Sequence, residues 1–203
     1  MENWCLSKTD SMKNVIIIGA GGNIARRVTD MLLKREDIQL TLFVRNVHRL
    51  GRKDYSGVSL VEGDALKYDS VRDAIAGQDI VYINLAGDLE AMTKNIVRAM
   101  RETGVRRVIL ISSIGIYDKP LRPVLKPYRA AADVIEVSGL DYTVLRPTWF
   151  TNADEVDYEI THKGEPEKGS VISQRSLAAF IVEIIEHPAK YMRESLGINK
   201  PGS

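Results

Sequence analysis

The chain has 203 residues, of which 44% are hydrophobic and 27% are charged, and its formal net charge is +1. These values are typical of a single globular domain, and the small net charge gives no electrostatic basis for binding nucleic acid or an anionic membrane. Cys5 is the only cysteine, which excludes an intramolecular disulfide and favours a cytoplasmic location. No apolar run approaches the roughly 20 residues that a membrane-spanning helix needs.

The N-terminal segment is polar and lacks the hydrophobic region of a signal peptide. We therefore predict that residues 1–13 form an extension without ordered structure. A single domain is expected to occupy residues 14–203, with a substrate-side loop at about 148–170.

The first regular segment is a strand followed by a glycine-rich loop and a helix. The β-branched run Asn14–Ile18 predicts a strand buried on both faces. The loop Gly19-Ala20-Gly21-Gly22 permits a sharp turn, and an amphipathic helix begins at Asn23-Ile24. Because the N-terminus of a helix attracts anions through its unpaired N–H groups, we expect a pyrophosphate to bind there. The alternative is a loop that only packs the helix against the sheet.

The second strand, predicted over residues 39–44, ends at Arg45. In dinucleotide-binding folds this position faces the adenosine ribose, where an acidic residue binds the 2′-hydroxyl and an arginine accommodates a 2′-phosphate. Arg45, with Arg49 and Arg52 shortly after it, therefore favours NADP over NAD, since a guanidinium can bind phosphate oxygens at two points. A solvated surface arginine is the alternative.

The remaining elements alternate between strands and helices. Strands are predicted at 58–62, 80–83, 108–111, 142–145 and 195–199, and helices at 69–76, 91–102, 128–137 and 173–186. Arg146-Pro147 should end the sixth strand because proline lacks a ladder donor. This order predicts a Rossmann-like α/β fold with a doubly wound parallel sheet, and it places the switch point between the first and fourth strands.

Small and polar residues follow three of these strands. Asp64 could accept from an adenine amino group while Ala65 packs on the ring, although a turn cap is an equal alternative. Leu85-Ala86-Gly87 would let a ligand approach the backbone closely. Ser112 and Ser113 stand at the carboxyl end of the fifth strand, where α/β sheets place their ligands. Hydroxyl capping of the strand end is the alternative for both serines.

Residues 149–169 show no periodic pattern and include an acidic segment and an exposed loop at 163–169. A substrate lid is expected there. The three histidines lack the spacing of a metal site or a catalytic triad, so no metal site is predicted.

Taken together, these segments resemble the atypical short-chain dehydrogenase/reductases. Within them the chain is similar to the NmrA-like NAD(P)H-binding group, which includes flavin-reductase-like and epimerase/dehydratase-like proteins. The resemblance runs from about Asn14 to Ile198, and its most distinctive piece is the sequence SGLDYTVLRP at 138–147. It implies one NAD(P)-binding Rossmann domain over residues 14–203.

The resemblance also implies roles for individual cofactor-binding residues. Gly19, Gly22 and Ala25 would line the pyrophosphate, Arg45 the 2′-phosphate and Asp64 the adenine. Ala86 and Gly87 would border the nicotinamide ribose.

The catalytic residues of the resembling family are only partly present. Ser113, four residues before Tyr117, matches the hydroxyl that orients a carbonyl. Tyr128 matches the tyrosine of a Tyr-x-x-x-Lys pair, but Ala132 stands where the lysine should be. Without that ammonium Tyr128 should remain an ordinary phenol unless Arg129 or another cation substitutes. The alternative is a tyrosine that packs on a helix face.

These features favour an NADP(H)-dependent oxidoreductase that transfers hydride between the nicotinamide and a small carbonyl, quinone or flavin-like acceptor. One alternative is an NmrA-type regulatory protein that senses NADP(H) without turnover. A weaker alternative is an NAD(P)-dependent epimerase or dehydratase, which the short chain after Pro147 disfavours. The expected partner is a small-molecule substrate, with no nucleic acid or membrane, and the expected state is a monomer or weak homodimer.

Overall fold

A computed structural model describes residues 12–51 and 55–203 of the chain. Most of the predicted N-terminal extension, and Arg52, lie outside the described residues. The strands are β1 Lys13–Ile18, β2 Ile38–Val44, β3 Ser59–Glu62, β4 Ile80–Ile83, β5 Arg107–Ile111, β6 Asp141–Pro147, β7 Trp149–Thr151, β8 Glu159–His162, β9 Val171–Ser173 and β10 Glu194–Asn199. The helices are α1 Asn23–Leu32, α2 Tyr68–Ile75, α3 Leu89–Thr103, α4 Lys126–Glu136 and α5 Gln174–Glu186.

The main sheet has eight strands in the order β3-β2-β1-β4-β5-β6-β10-β8. Its neighbours run parallel except for β8, which pairs antiparallel with β10 at one edge. The strand order reverses between β1 and β4. This confirms the predicted Rossmann-like fold and the predicted switch point, where such sheets place their ligands.

The two faces of β1 pack against different helices. Val15 and Ile17 belong to a buried cluster with α1 and α5, whereas Ile16 and Ile18 belong to a second cluster with α2, α3 and α4. All four side chains are fully buried. Burial of apolar surface on both sides of β1 therefore fixes the strand at the centre of the molecule, and the glycine loop that follows emerges at the edge of the sheet.

The predicted end of β6 was wrong. The strand continues through Arg146 to Pro147, which pairs with Ile198 of β10. The missing proline donor costs one ladder bond only, because the Pro147 carbonyl accepts from Ile114 N–H at 3.1 Å and Thr148 N–H donates to the Ile198 carbonyl at 3.2 Å. A proline at the last position of a strand is therefore tolerated in the interior of this sheet.

The segment 149–169 also differs from the prediction. It contains β7 and β8, and β7 pairs with β9 in a separate two-stranded parallel sheet. The loop at 163–169 is largely exposed as expected, but Glu167 is half-buried. Short strands that pair with distant partners leave no periodic pattern, which explains why this region was predicted to be irregular.

The longest helix within the described ranges is α3, with 15 residues. None of the helices described there combines the length and the apolar character needed to span a bilayer.

Candidate functional site

A cavity of about 270 Å³ opens at the carboxyl ends of β1, β2 and β4. We call it the switch-point cavity. It brings together most of the predicted cofactor residues, which come from four separate segments of the chain. The loop glycines Gly19, Gly21 and Gly22 form one wall, and the others are formed in part by Arg45, Asp64, Ala65, Leu85 and Ala86.

Five of the predicted residues do not line this cavity. Ala20 is buried beneath the loop, and its N–H donates to the Phe43 carbonyl at 3.3 Å. Asn23 and Ile24 form the start of α1, next to the loop. Gly87 lies beyond Ala86 in the loop before α3, and Ser112 follows β5.

The packing of the loop against the end of β4 requires glycine at position 19 and leaves little room for a side chain at position 22. Gly19 has φ +87°, and a Cβ at Gly19 would collide with the carbonyl oxygen of Asn84. A Cβ at Gly22 would collide with the Asn84 side-chain nitrogen. The β1–α1 loop therefore approaches the β4 loop as closely as backbone permits.

Gly21 differs from these two glycines. It lines the switch-point cavity, and a Cβ added there would meet no atom within 4 Å. The absence of a side chain at Gly21 therefore keeps ligand space open and does not relieve a clash within the protein. This is the geometry that a pyrophosphate needs in order to approach the backbone.

The first turn of α1 lacks the side-chain cap that begins α3 and α5, a feature that it shares with α2 and α4. Asp88 accepts from Ala91 N–H at the start of α3, and Ser173 accepts from Ser176 N–H at the start of α5. Gly22, by contrast, provides no side-chain cap for α1, and no acidic residue lies in its first turn. The first N–H groups of α1 are thus left for an external anion.

Two arginines line the cavity at the end of β2. Arg45 and Arg49 are both exposed, and neither side chain forms an ion pair or hydrogen bond within the described ranges. The turn that carries them is held by Asn46, which accepts from His48 N–H at 2.9 Å, and by Glu62, which accepts from Val47 N–H at 3.0 Å. The result is a pair of guanidinium groups without a bonded partner in the described residues, which suits a phosphate.

Asp64 performs the role of turn cap that the sequence left open. Its Oδ1 accepts from Leu66 N–H at 3.0 Å. Its other carboxylate oxygen has no hydrogen-bond partner in the described part of the chain, so the side chain retains a free acceptor at the cavity wall. Asn95 of α3 holds the same loop by donating to the carbonyls of Ala65 and Leu66 at 3.1 and 3.0 Å.

Besides Arg49, six residues that line the switch-point cavity are absent from the predicted cofactor-binding set, namely Phe43, Val44, Asn46, Gly63, Asn84 and Met92. Phe43 and Met92 contribute apolar walls, and Asn46 and Asn84 contribute polar ones. Phe43 and Met92 belong to the regular hydrophobic patterns of β2 and α3, which do not distinguish a wall residue from a core residue. The signal for Asn46 was its position before a short turn, where asparagine is a preferred cap.

The two catalytic candidates, Ser113 and Tyr128, lie outside the lining of this cavity, as does Ser112. The Ser112 hydroxyl donates to the Tyr128 carbonyl at 3.3 Å, and the Ser113 hydroxyl donates to the Ile114 carbonyl at 3.2 Å. The Tyr128 hydroxyl has no hydrogen-bond partner among the residues described. Ala132 is fully buried in α4, so no cation occupies the position of the missing lysine.

Arg129 does not substitute for that lysine. Its guanidinium donates to Asp133 at 2.8 Å and stacks over the Tyr117 ring, with its carbon 4.8 Å from the ring centroid. Tyr117 itself donates to Glu136 and shares a 2.9 Å hydrogen bond with Ser195. Burial, with the hydrogen bond to Glu136, raises the pKa of Tyr117, so this phenol stays protonated.

A model of the NAD(P)H-binding family matches residues 19–188. The chain belongs to the NAD(P)H-binding family.

Within residues 12–51 and 55–203 there is no group of three or more His, Cys, Asp or Glu residues that could hold a metal ion.

Solved structures and curated proteins support this assignment. A Rossmann-fold NAD(P)-binding family protein from Shigella flexneri is 44% identical, with a TM-score of 0.87 and 95% of each chain covered. A short-chain dehydrogenase/reductase from Veillonella parvula in complex with NADP is 28% identical, with a TM-score of 0.85, covering 94% of this chain and 95% of that chain. The uncharacterized sugar epimerase YhfK of Bacillus subtilis is 27% identical over 184 residues, 80% of this chain and 78% of YhfK.

These findings confirm the resemblance to atypical short-chain dehydrogenase/reductases. The family is one of NAD(P)H-binding proteins with oxidoreductase-like and epimerase-like members. The assignment to the NmrA-like group within it stays a prediction.

Proposed function

We propose that the chain is an NADP(H)-dependent oxidoreductase that transfers hydride between the nicotinamide and a small carbonyl, quinone or flavin-like acceptor. The observation that carries the proposal is the combination, on one cavity, of open space at Gly21 with two guanidinium groups that have no partner in the described part of the chain. The complex of the 28% identical Veillonella parvula protein with NADP supports the choice of cofactor.

Each part of the switch-point cavity has a role in this proposal. The uncapped first turn of α1 and Gly21 hold the diphosphate. Arg45 and Arg49 bind the 2′-phosphate, and the free oxygen of Asp64 accepts from the adenine amino group. The nicotinamide, when bound, supplies or accepts the hydride.

The acceptor class follows from what the protein does not provide. The hydroxyls of Ser112 and Ser113 donate to backbone carbonyls, and Ala132 removes the cation that would acidify Tyr128. A protein proton donor of the usual kind is therefore not assembled in the described residues. Quinones and flavins fit this site best, because they can take their proton from water after hydride transfer.

Calorimetry with NADPH and NADH tests the cofactor assignment. Replacing Arg45 by alanine should weaken NADPH binding by about 1.5 to 3 kcal/mol, the scale of hydrogen bonds to a charged group, and leave NADH binding nearly unchanged. Arg27→Ala is the matched control, because Arg27 is exposed on α1 and bonds to Gln174 away from the cavity. Equal weakening of both cofactors by Arg45→Ala would contradict the assignment.

The second candidate function is an NADP(H)-sensing protein without turnover. It is favoured by the internal hydrogen bonds of both serines and by Ala132. Steady-state oxidation of NADPH with a panel of quinones, flavins and aldehydes separates the two functions. Tight NADPH binding with no turnover on any acceptor would favour the sensor, whereas steady-state turnover on any of these acceptors would exclude it.

A further inference from the structure

A second cavity, of about 290 Å³, opens beyond the carboxyl ends of β5 and β6. Its walls include Gly115, Asp118, Arg122, Trp149 and Glu167, and we call it the β5–β6 cavity. It shares no lining residue with the switch-point cavity. Both cavities nevertheless lie at the same edge of the sheet, where open α/β sheets bind their ligands.

The walls of the β5–β6 cavity are held by defined bonds. Trp149 N–H donates to the Ser170 carbonyl at 3.2 Å, and β7 pairs with β9. Glu167 accepts from Gly115 N–H at 2.9 Å and from the buried guanidinium of Arg146. The cavity is thus a product of strand pairing and an ion pair, and it does not depend on a free loop.

One wall carries an exposed indole. The Trp149 side chain is 74% exposed, although tryptophan is normally buried over most of its surface. A large aromatic side chain on a cavity wall provides a flat face on which a planar ring can stack. The neighbouring Phe150 does not line this cavity.

An unpaired acceptor and an unpaired donor lie beside each other on another wall. Asp118 Oδ2 and Arg122 Nη2 are 2.9 and 3.4 Å from the position that a Cβ of Gly115 would occupy. Both side chains are exposed, and in the described part of the chain neither forms an ion pair or a side-chain hydrogen bond. A ring edge with an N–H beside a carbonyl would satisfy both, since the carboxylate can only accept and the guanidinium can only donate.

We propose that the β5–β6 cavity binds a planar heteroaromatic ring with an imide-type edge. The ring stacks on Trp149, its N–H donates to Asp118 and its carbonyl accepts from Arg122. This chemistry occurs in the isoalloxazine ring of a flavin and in the uracil ring of a uridine nucleotide. Only the further assignment of a bound flavin as hydride acceptor rests on the proposed oxidoreductase function.

Binding of small probes to the full chain without NADPH tests the site. Lumiflavin and 3-methyllumiflavin differ only in the imide N–H, so calorimetry should show at least tenfold tighter binding of lumiflavin. Menadione, which has carbonyls but no N–H, should bind as weakly as the methylated flavin. Uridine monophosphate is the second arm: tighter binding of this probe than of lumiflavin would retain the site and assign it to a nucleotide.

Variants locate the interaction. Asp118→Ala and Arg122→Ala should each weaken lumiflavin binding at least tenfold, and Asp118→Ala should remove most of the preference over 3-methyllumiflavin. Trp149→Ala should abolish binding and Trp149→Phe should retain it in part. Phe150→Ala is the matched control, because it removes an adjacent exposed aromatic that is outside the cavity.

The proposal is overturned if neither lumiflavin nor uridine monophosphate binds. It is also overturned if the affinity for lumiflavin is unchanged by N-methylation and by both Asp118→Ala and Arg122→Ala. NADPH affinity is measured separately on the same protein. Ring binding without NADPH binding would refute the proposed oxidoreductase function and support the ring-binding site. NADPH binding without ring binding would refute the ring-binding site and leave the proposed function standing.

Discussion

Removing the Glu167 side chain should destabilise the protein far more than removing an acid from the neighbouring surface. Glu167 pairs with Arg146, whose side chain is only 2% exposed, while Glu167 itself is 21% exposed. Loss of one partner of a buried ion pair costs about 3 to 5 kcal/mol, because the other charge stays buried and uncompensated. Since water can partly reach the position of Glu167, we expect a loss of about 3 kcal/mol, the low end of that range.

The surroundings of Arg146 support this magnitude. Its Nε has no hydrogen-bond partner in the described residues, and its Nη2 donates only to the Ser195 carbonyl at 3.4 Å. The guanidinium therefore has no spare acceptor to replace the carboxylate. Glu167→Gln keeps a neutral acceptor for Gly115 N–H and should cost about 1.5 kcal/mol, which is close to the value of a hydrogen bond without the charge.

Urea unfolding followed by circular dichroism measures these differences. Asp154→Ala is the control, because Asp154 lies in the acidic segment that precedes this loop and pairs with Arg175 where the side chains are 84% and 44% exposed. Exposed pairs contribute less than about 1 kcal/mol. If Glu167→Ala and Asp154→Ala lowered the free energy of unfolding equally, the assignment of a buried, structurally required pair would be wrong.

Four further substitutions have expected outcomes. Tyr82→Phe should raise the free energy of unfolding by about 1 kcal/mol, because the fully buried Tyr82 hydroxyl has no hydrogen-bond partner within the described ranges. A lower free energy of unfolding in urea would contradict this. Arg107→Met should lower the free energy of unfolding by about 3 kcal/mol. The reason is that the buried Arg107 donates to five acceptors, among them the Pro188 carbonyl at 2.8 Å. A loss under 1 kcal/mol would show that these hydrogen bonds do not hold the fold together. Gly21→Val should leave the melting temperature nearly unchanged and weaken NADPH binding more than tenfold. Gly63→Ala should lower the melting temperature, because its methyl group would collide with the Phe43 ring. The reverse pattern would disprove the assignment of open space to Gly21.

The sequence predicted the elements that depend on local patterns and failed for those that depend on pairing between distant segments. β1 was predicted correctly because its β-branched run reports directly on burial at both faces. The pairing of β7 with β9 joins segments about 20 residues apart, and each strand has only three residues. Such short, non-local pairing leaves no local pattern, so the region was predicted to be irregular. The same reason hid the partnership of Arg146 with Glu167.

The site was predictable to a similar degree. The glycine loop and Arg45 were placed by their distance from predicted strands, and the structure brings them to one cavity. The sequence could not show where the hydroxyls of Ser112 and Ser113 point, since a rotation about one bond decides whether each faces a ligand or a backbone carbonyl. The sequence could not show the open space at Gly21 either, because that space depends on which atoms of distant segments the fold brings near this residue.

The two ends of the switch-point cavity tolerate change very differently. Gly19 and Gly63 are packed so closely that even a methyl group has no room, whereas Arg45 and Arg49 extend into solvent from a short turn. Exchange of these arginines for acidic residues would therefore carry little folding penalty. Under the proposed function, substitutions of the two arginines could therefore alter the coenzyme preference without unfolding the protein, whereas substitutions of Gly19 or Gly63 would disturb the fold itself.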